Sequence, residues 1–170
     1  TTADIDKAVA AAKKAFVSFS QTQAKDREVI LSRAAALVER DREEYLQLLI
    51  DEVGSPIMKA QFEVDYCINA FRAAAGVPRR LTGETMPLDR PGAFGMSVRE
   101  PVGIIACITP FNVPLLKNVK QIAMVIATGN TSVLLPSEFA TQVTVKFAET
   151  LAEAGTPPGV FNYVTGDPFE

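Results

Sequence analysis

With 170 residues, 48% of them hydrophobic and 22% charged, the chain has enough apolar material for one domain, or one and a fraction, with a real core. Its net charge of −3, with Lys13-Lys14 and Arg79-Arg80 as the only basic pairs, argues against a nucleic-acid partner. The absence of histidine excludes Ser-His and Cys-His catalytic pairs within these residues and removes the commonest zinc ligand, so no metal site is expected.

The first 80 residues read as helices. Thr1 and Asp4 have capping-box spacing, and Ile5, Val9, Ala12, Phe16 and Phe19 follow on one face. A second stripe carries Val29, Ile30, Ala34, Leu37 and Val38, and a third carries Tyr45, Leu46, Leu49 and Val53 before Gly54. Pro56 suits the first turn of a long fourth helix over 57–75, closed by Gly76 and Pro78. Cys67 falls in this helix and Cys107 in a later apolar run; neither has metal-ligand spacing. Without a secretory leader or an apolar run long enough to cross a bilayer, a cytoplasmic chain with reduced thiols and no membrane partner is expected.

Residues 81–100, "LTGETMPLDRPGAFGMSVRE", change character. Glycine and proline punctuate them, and Met96 to Arg99 alternate apolar with polar. The pattern predicts an antiparallel hairpin around a Pro-Gly turn, exposed on one face.

From Pro101 onward the chain reads strand, helix, strand, helix, strand. The predicted elements are a continuous apolar strand over 102–108, a helix over 115–128 closed by Gly129-Asn130, and a buried strand over 131–135. A helix over 142–154 closed by Gly155 and a strand over 160–164 complete the series. Alternation of this kind favours a parallel sheet covered by helices, matching the first βαβαβ half of a Rossmann-like doubly wound sheet. The predicted class is therefore α/β: helices, a hairpin, then half of a nucleotide-binding sheet.

Ligands on such sheets bind outside the carboxyl ends of the strands. Three loops qualify, over 109–114, 136–141 and 165–170. No G-x-G-x-x-G or G-x-x-x-x-G-K-[ST] pattern occurs, so no phosphate-cradling loop is indicated. In the first loop, prolines 110 and 114 flank Asn112 and stiffen the turn. Its carboxamide could cap the following helix or serve as a rigid, neutral hydrogen-bond donor; the residue pattern alone leaves both open.

"REPVGIIACITPFNVPL", "ATGNTSVLLPSE" and "LAEAGTPPGVFNYVTGD", in this order, resemble the aldehyde dehydrogenase superfamily, as do "DIDKAVAAAKKAF", "DEVGSPIMKA" and "RRLTGE". The likeness covers nearly the whole chain. It implies NAD as cofactor, a small aldehyde as substrate and a homo-oligomer whose subunit contacts use the hairpin. The stretch from Met96 to Gly103 is reminiscent of members acting on aromatic aldehydes.

By the same resemblance Asn112 is the donor that stabilises the oxyanion formed when a thiolate attacks the aldehyde. Ile108, Thr109, Pro110 and Phe111 would line the cofactor cleft, with Phe111 where the family often carries tryptophan. Lys120 matches a helix lysine proposed to assist proton movement, and a solvated lysine is the alternative. Ser137 and Glu138 stand in a K-P-S-E-like motif that binds the adenosine ribose, and Gly166 lies near the adenine. Glu138 would accept from both ribose hydroxyls and repel a 2′-phosphate, favouring NAD over NADP. Leu135 replaces the motif's lysine and donates nothing.

Desolvation in the apolar strand argues against Cys107 as the nucleophile. The resemblance instead puts the nucleophilic cysteine, the glutamate base and the catalytic domain beyond residue 170. The expected function is thus the N-terminal cofactor-binding portion of an NAD-dependent aldehyde dehydrogenase, inactive by itself. The alternatives are a non-catalytic fragment serving as a binding or assembly module, or a coenzyme A-dependent member of the same family.

Overall fold

In a computed structural model of the protein, residues 1–166 are described. Helices α1 (Thr2–Phe19), α2 (Ala24–Arg40), α3 (Arg42–Asp51) and α4 (Ile57–Ala75) come first. A small antiparallel pair follows, β1 (Thr85–Met86) with β2 (Gly95–Met96). The remainder alternates: β3 (Ile104–Thr109), α5 (Pro114–Ala127), β4 (Thr131–Pro136), α6 (Thr141–Glu153) and β5 (Phe161–Tyr163). Short 3-10 turns at Pro78–Arg80 and Glu138–Ala140 complete the order.

β3, β4 and β5 form a parallel sheet in that spatial order, with Ile104 opposite Thr131 and Ser132 opposite Phe161. The architecture is the first half of a Rossmann-like sheet, as the alternation of elements predicts. Side chains two apart share a face. Cys107, Thr109, Ser132 and Leu134 are buried on the side where α5 and α6 pack. The alternate set meets α1, where the Thr131 hydroxyl donates to the Ala12 carbonyl at 3.2 Å. α2, α3 and α4 stack outside α5 and α6, and Phe71 and Phe147 meet between these layers with ring centroids 6.2 Å apart.

Both crossover helices stop sharply. After α5, Gly129 takes φ +75°, its N–H donates to the Ile126 carbonyl, and Asn130 N–H donates to Val125. The same 5→2 and 6→1 bonds close α6 through Gly155 (φ +97°) and Thr156. A left-handed residue costs least as glycine, so each helix can turn straight into its strand. Asn130 then accepts from Gly103 N–H at 2.9 Å, tying the start of β3 to the start of β4.

Two expectations need correction. The hairpin is exposed on both sides, because no other element among the described residues covers it; its ladder is two residues long per strand, and Phe94 is 71% exposed. The first parallel strand is not covered on both faces either. Ile108 is 72% exposed and Ala106 is also open, since α1 covers only the amino-terminal part of that face.

Candidate functional site

A cavity of about 310 Å³ opens at the carboxyl ends of β3 and β4. It brings together Ile108, Thr109, Pro110 and Phe111 from the first loop with Leu135, Pro136, Ser137, Glu138 and Phe139 from the second. Gly166 closes it from the third loop. The rest of that loop, residues 167–170, lies outside the described residues. Every cofactor-site residue singled out from the sequence thus reaches one cavity. Asn112 stands just outside its lining, and Lys120 is further away.

Each wall has its own chemistry. Ile108 and Leu135 are register partners on adjacent strands and offer a continuous apolar floor. Phe111 and Phe139 stand edge to face across the opening with centroids 5.9 Å apart, a favoured geometry for rings whose edges are positive and faces negative. Phe139 was not expected; its position beside Glu138 is the only signal of it in the sequence. At the rim, the Ser137 hydroxyl contacts one Glu138 carboxylate oxygen at 3.1 Å and accepts from Phe139 N–H at 3.3 Å. Glu138 is otherwise exposed, and its other oxygen has no partner among the described residues.

Thr109 lines the cavity, but its hydroxyl is turned away from it. Thr109 is 3% exposed, and Oγ1 donates to Asn118 Oδ1 at 2.8 Å. Asn118 Nδ2 donates to Thr144 Oγ1 at 3.1 Å, and Thr144 Oγ1 donates to the Ala140 carbonyl at 3.1 Å. This buried chain runs from the end of β3 through α5 and α6 to the end of the second loop. It links the two loops that face each other across the cavity.

Asn112 is exposed, and its carboxamide makes no hydrogen bond among the described residues. It does not cap α5: Val113 is the N-cap residue, without a side-chain cap. The free Leu116 N–H of the first turn is taken by Glu63 Oε1 of α4 at 3.0 Å. Of the two readings left open in the sequence, the cap is not formed. Lys120 is exposed on α5, about 9 Å along the helix axis from Pro114 at 1.5 Å per residue. Its neighbour Gln121 donates to the Ile108 carbonyl at 3.2 Å.

Neither cysteine suits nucleophilic attack. Cys107 is 4% exposed beneath α5, and burial pushes its thiol above the ordinary range. Cys67 lies within the helical core, and burial raises it further. Among the described residues no cluster of acidic or thiol side chains could hold a metal ion, and no helix is long and apolar enough to cross a membrane.

A helix-flanked parallel sheet with a cleft at its carboxyl edge, apolar on its floor and acidic at its rim, defines a Rossmann-like α/β domain. The model of the aldehyde dehydrogenase family matches residues 1–170, and the chain belongs to that family. It is 38% identical to malonate-semialdehyde dehydrogenase 1 of Shouchella clausii (strain KSM-K16), over 98% of this chain and 34% of that protein. Salicylaldehyde dehydrogenase from Pseudomonas putida G7, solved with salicylaldehyde, superposes with a TM-score of 0.97 at 32% identity, over 99% of this chain and 35% of that one. An NAD-dependent benzaldehyde dehydrogenase from Corynebacterium glutamicum gives 0.93 at 38% identity, over 99% of this chain and 37% of that one. The chain therefore spans about a third of the length of the relatives it matches.

Proposed function

We propose that this chain forms half of the cofactor cleft, and the oxyanion donor, of an NAD-dependent aldehyde dehydrogenase that converts a small aldehyde to its carboxylic acid. The observation that carries the reading is the Asn112 carboxamide: exposed, without a hydrogen-bond partner among the described residues, on a loop held from both sides at the mouth of the cleft. When a thiolate adds to the aldehyde carbon, charge develops on the carbonyl oxygen. A neutral amide fixed in advance can stabilise that charge without reorganising. Both cysteines here are buried, so the thiolate is assigned to residues outside these 170.

The cleft fits NAD in the kinds of groups it offers. Glu138 presents a carboxylate to ribose hydroxyls and repels a 2′-phosphate. Ile108 and Leu135 give flat apolar support to a ring, and Phe111 with Phe139 walls the opening. NAD, when bound, accepts the hydride; the residues here bind and orient it and hold the oxyanion. The exposed Phe94, Met96 and Val98 of the hairpin supply a contact surface for a homo-oligomer. The substrate class is held at small aldehydes.

Asn112→Ala in the full-length protein tests the reading. The expected loss in kcat is about 100- to 1,000-fold, with NAD affinity by calorimetry unchanged. An unchanged kcat would overturn the assignment. Glu138→Gln is expected to narrow the preference for NAD over NADP, and an unaltered preference would remove Glu138 from the cofactor site.

A further inference from the structure

Two carboxylates from the helical segment reach into the first turns of the helices that carry the loops of the cleft. Glu63 of α4 is fully buried, and its Oε1 accepts from Leu116 N–H at 3.0 Å, four residues beyond Asn112. Its Oε2 has no hydrogen-bond partner among the described residues and faces the Lys59 ammonium at 3.6 Å. Lys59 in turn donates to the Ser55 hydroxyl at 2.6 Å. Glu52, at the end of α3, does the same for α6: its oxygens accept from Gln142 N–H at 2.7 Å and Val143 N–H at 2.9 Å. These amides lie four and five residues beyond Glu138.

The first amides of a helix have no partner within it, and together they form an anion site. Here both such sites are filled from another element. A local N-cap satisfies the amides but leaves the helix free to shift with its loop. A carboxylate from a separate layer also fixes the helix against that layer. Glu63 is the more telling of the pair, because burial opposes its ionisation and raises its pKa despite the amides and Lys59. An apolar side chain would pack there without that cost.

We propose that Glu63 and Glu52 are positioning residues: Glu63 seats the Asn112 loop by anchoring the start of α5, and Glu52 seats the Glu138 loop by anchoring the start of α6. Glu52 closes α3 and Glu63 stands in the helix that follows, α4, so one stretch of the helical segment sets the two sides of the cleft. The same contacts occupy the amides of Leu116, Gln142 and Val143, which are then not offered to an anionic group of a ligand. The inference rests on the roles assigned to Asn112 and Glu138.

The test compares Glu63→Ala, Glu63→Gln and Glu52→Ala in the full-length protein. A displaced donor loses rate steeply, so Glu63→Ala is expected to lower kcat by about 10- to 100-fold while the Kd of NAD stays within about twofold. Glu63→Gln, which keeps one acceptor for Leu116 N–H, is expected to recover most of that loss. Glu52→Ala is expected to show its effect on NAD instead, weakening its binding by about five-fold or more. A general loss of packing would move kcat and Kd alike in both variants, and that result would overturn the proposal. Amide exchange at Leu116 and the side-chain NH₂ resonances of Asn112 provide a readout independent of turnover: both should change in Glu63→Ala and neither in Glu52→Ala. Unchanged Asn112 resonances would refute the positioning role even if Asn112→Ala proves harmless to kcat, an outcome that by itself refutes only the oxyanion assignment. If Glu63→Ala does not fold, Glu63→Gln carries the test through the same resonances.

Discussion

Asn118→Ala should be among the most damaging single substitutions in the sheet-bearing half, although Asn118 does not line the cleft. The side chain is fully buried, accepts from Thr109 at 2.8 Å and donates to Thr144 at 3.1 Å. Truncation removes two hydrogen bonds of about 1 kcal/mol each and leaves the buried Thr109 hydroxyl without its acceptor, at about 1–3 kcal/mol. The Thr144 hydroxyl keeps its bond to the Ala140 carbonyl, so its share of the loss is smaller. The expected destabilisation is about 2–4 kcal/mol, read as a lowered urea midpoint by far-UV circular dichroism, since the chain has no tryptophan. Replacing the whole relay with apolar side chains of similar shape, as Thr109→Val with Asn118→Leu and Thr144→Val, should recover most of that loss. Apolar partners leave no side-chain group of the relay unsatisfied, and the one bond given up is that from the Thr144 hydroxyl to the Ala140 carbonyl. A single substitution costing less than about 1 kcal/mol, or a triple variant worse than the single, would refute the account of this relay as a chain of mutually dependent bonds.

Leu135→Lys should tighten NAD binding by about 10-fold or more if the new ammonium reaches a cofactor hydroxyl, since a charge-assisted bond contributes roughly 1.5–3 kcal/mol; an unchanged calorimetric affinity would show that the floor of the cleft is apolar by design. Asp41 is held down to about 2 chiefly by its hydrogen bonds from Arg40, with Lys146 also bonded to it. A carboxyl lowered in the fold contributes stability above its unfolded pKa and loses it as the pH falls toward the folded value. Asp41→Asn should therefore flatten the acid limb of an unfolding profile between about pH 4 and 2, and an unaltered limb would contradict the role of this cluster. Cys67 and Cys107 are buried with raised thiols, so neither should react with iodoacetamide before unfolding; native-state labelling of Cys107 followed by mass spectrometry would refute its exclusion as a nucleophile.

Much of the fold can be read in the chain because its signals are local. The α4 helix runs over the residues its pattern marks, from the turn after Pro56 to Gly76. The glycines after α5 and α6 sit at the left-handed positions that end them. Proline and glycine act on their own dihedrals, and helical periodicity needs only neighbours three and four residues away. The loops that meet in the cleft follow from the same reasoning, since ligands on a parallel sheet gather at the strands' carboxyl ends.

Glu63 left a trace as well, a charge standing between Ala60, Val64 and Cys67 on a face that is otherwise apolar. Its purpose did not, because the amide it serves is 53 residues away. Glu52 gave no sign at all, being bonded to amides 90 and 91 residues further on.

By itself the sequence determines which segments become helices and strands, where the glycine-closed helices stop, and that Asn112 and Glu138 stand on the strand-end loops. Only the tertiary structure decides that Asn112 is left free while Glu63 caps its helix, that Thr109 turns its hydroxyl inward, and that Ile108 lies on an open face. The physical reason is one of range. Periodicity states which side of an element avoids water, whereas the partner that covers that side, or satisfies an amide, is chosen only when distant layers pack together.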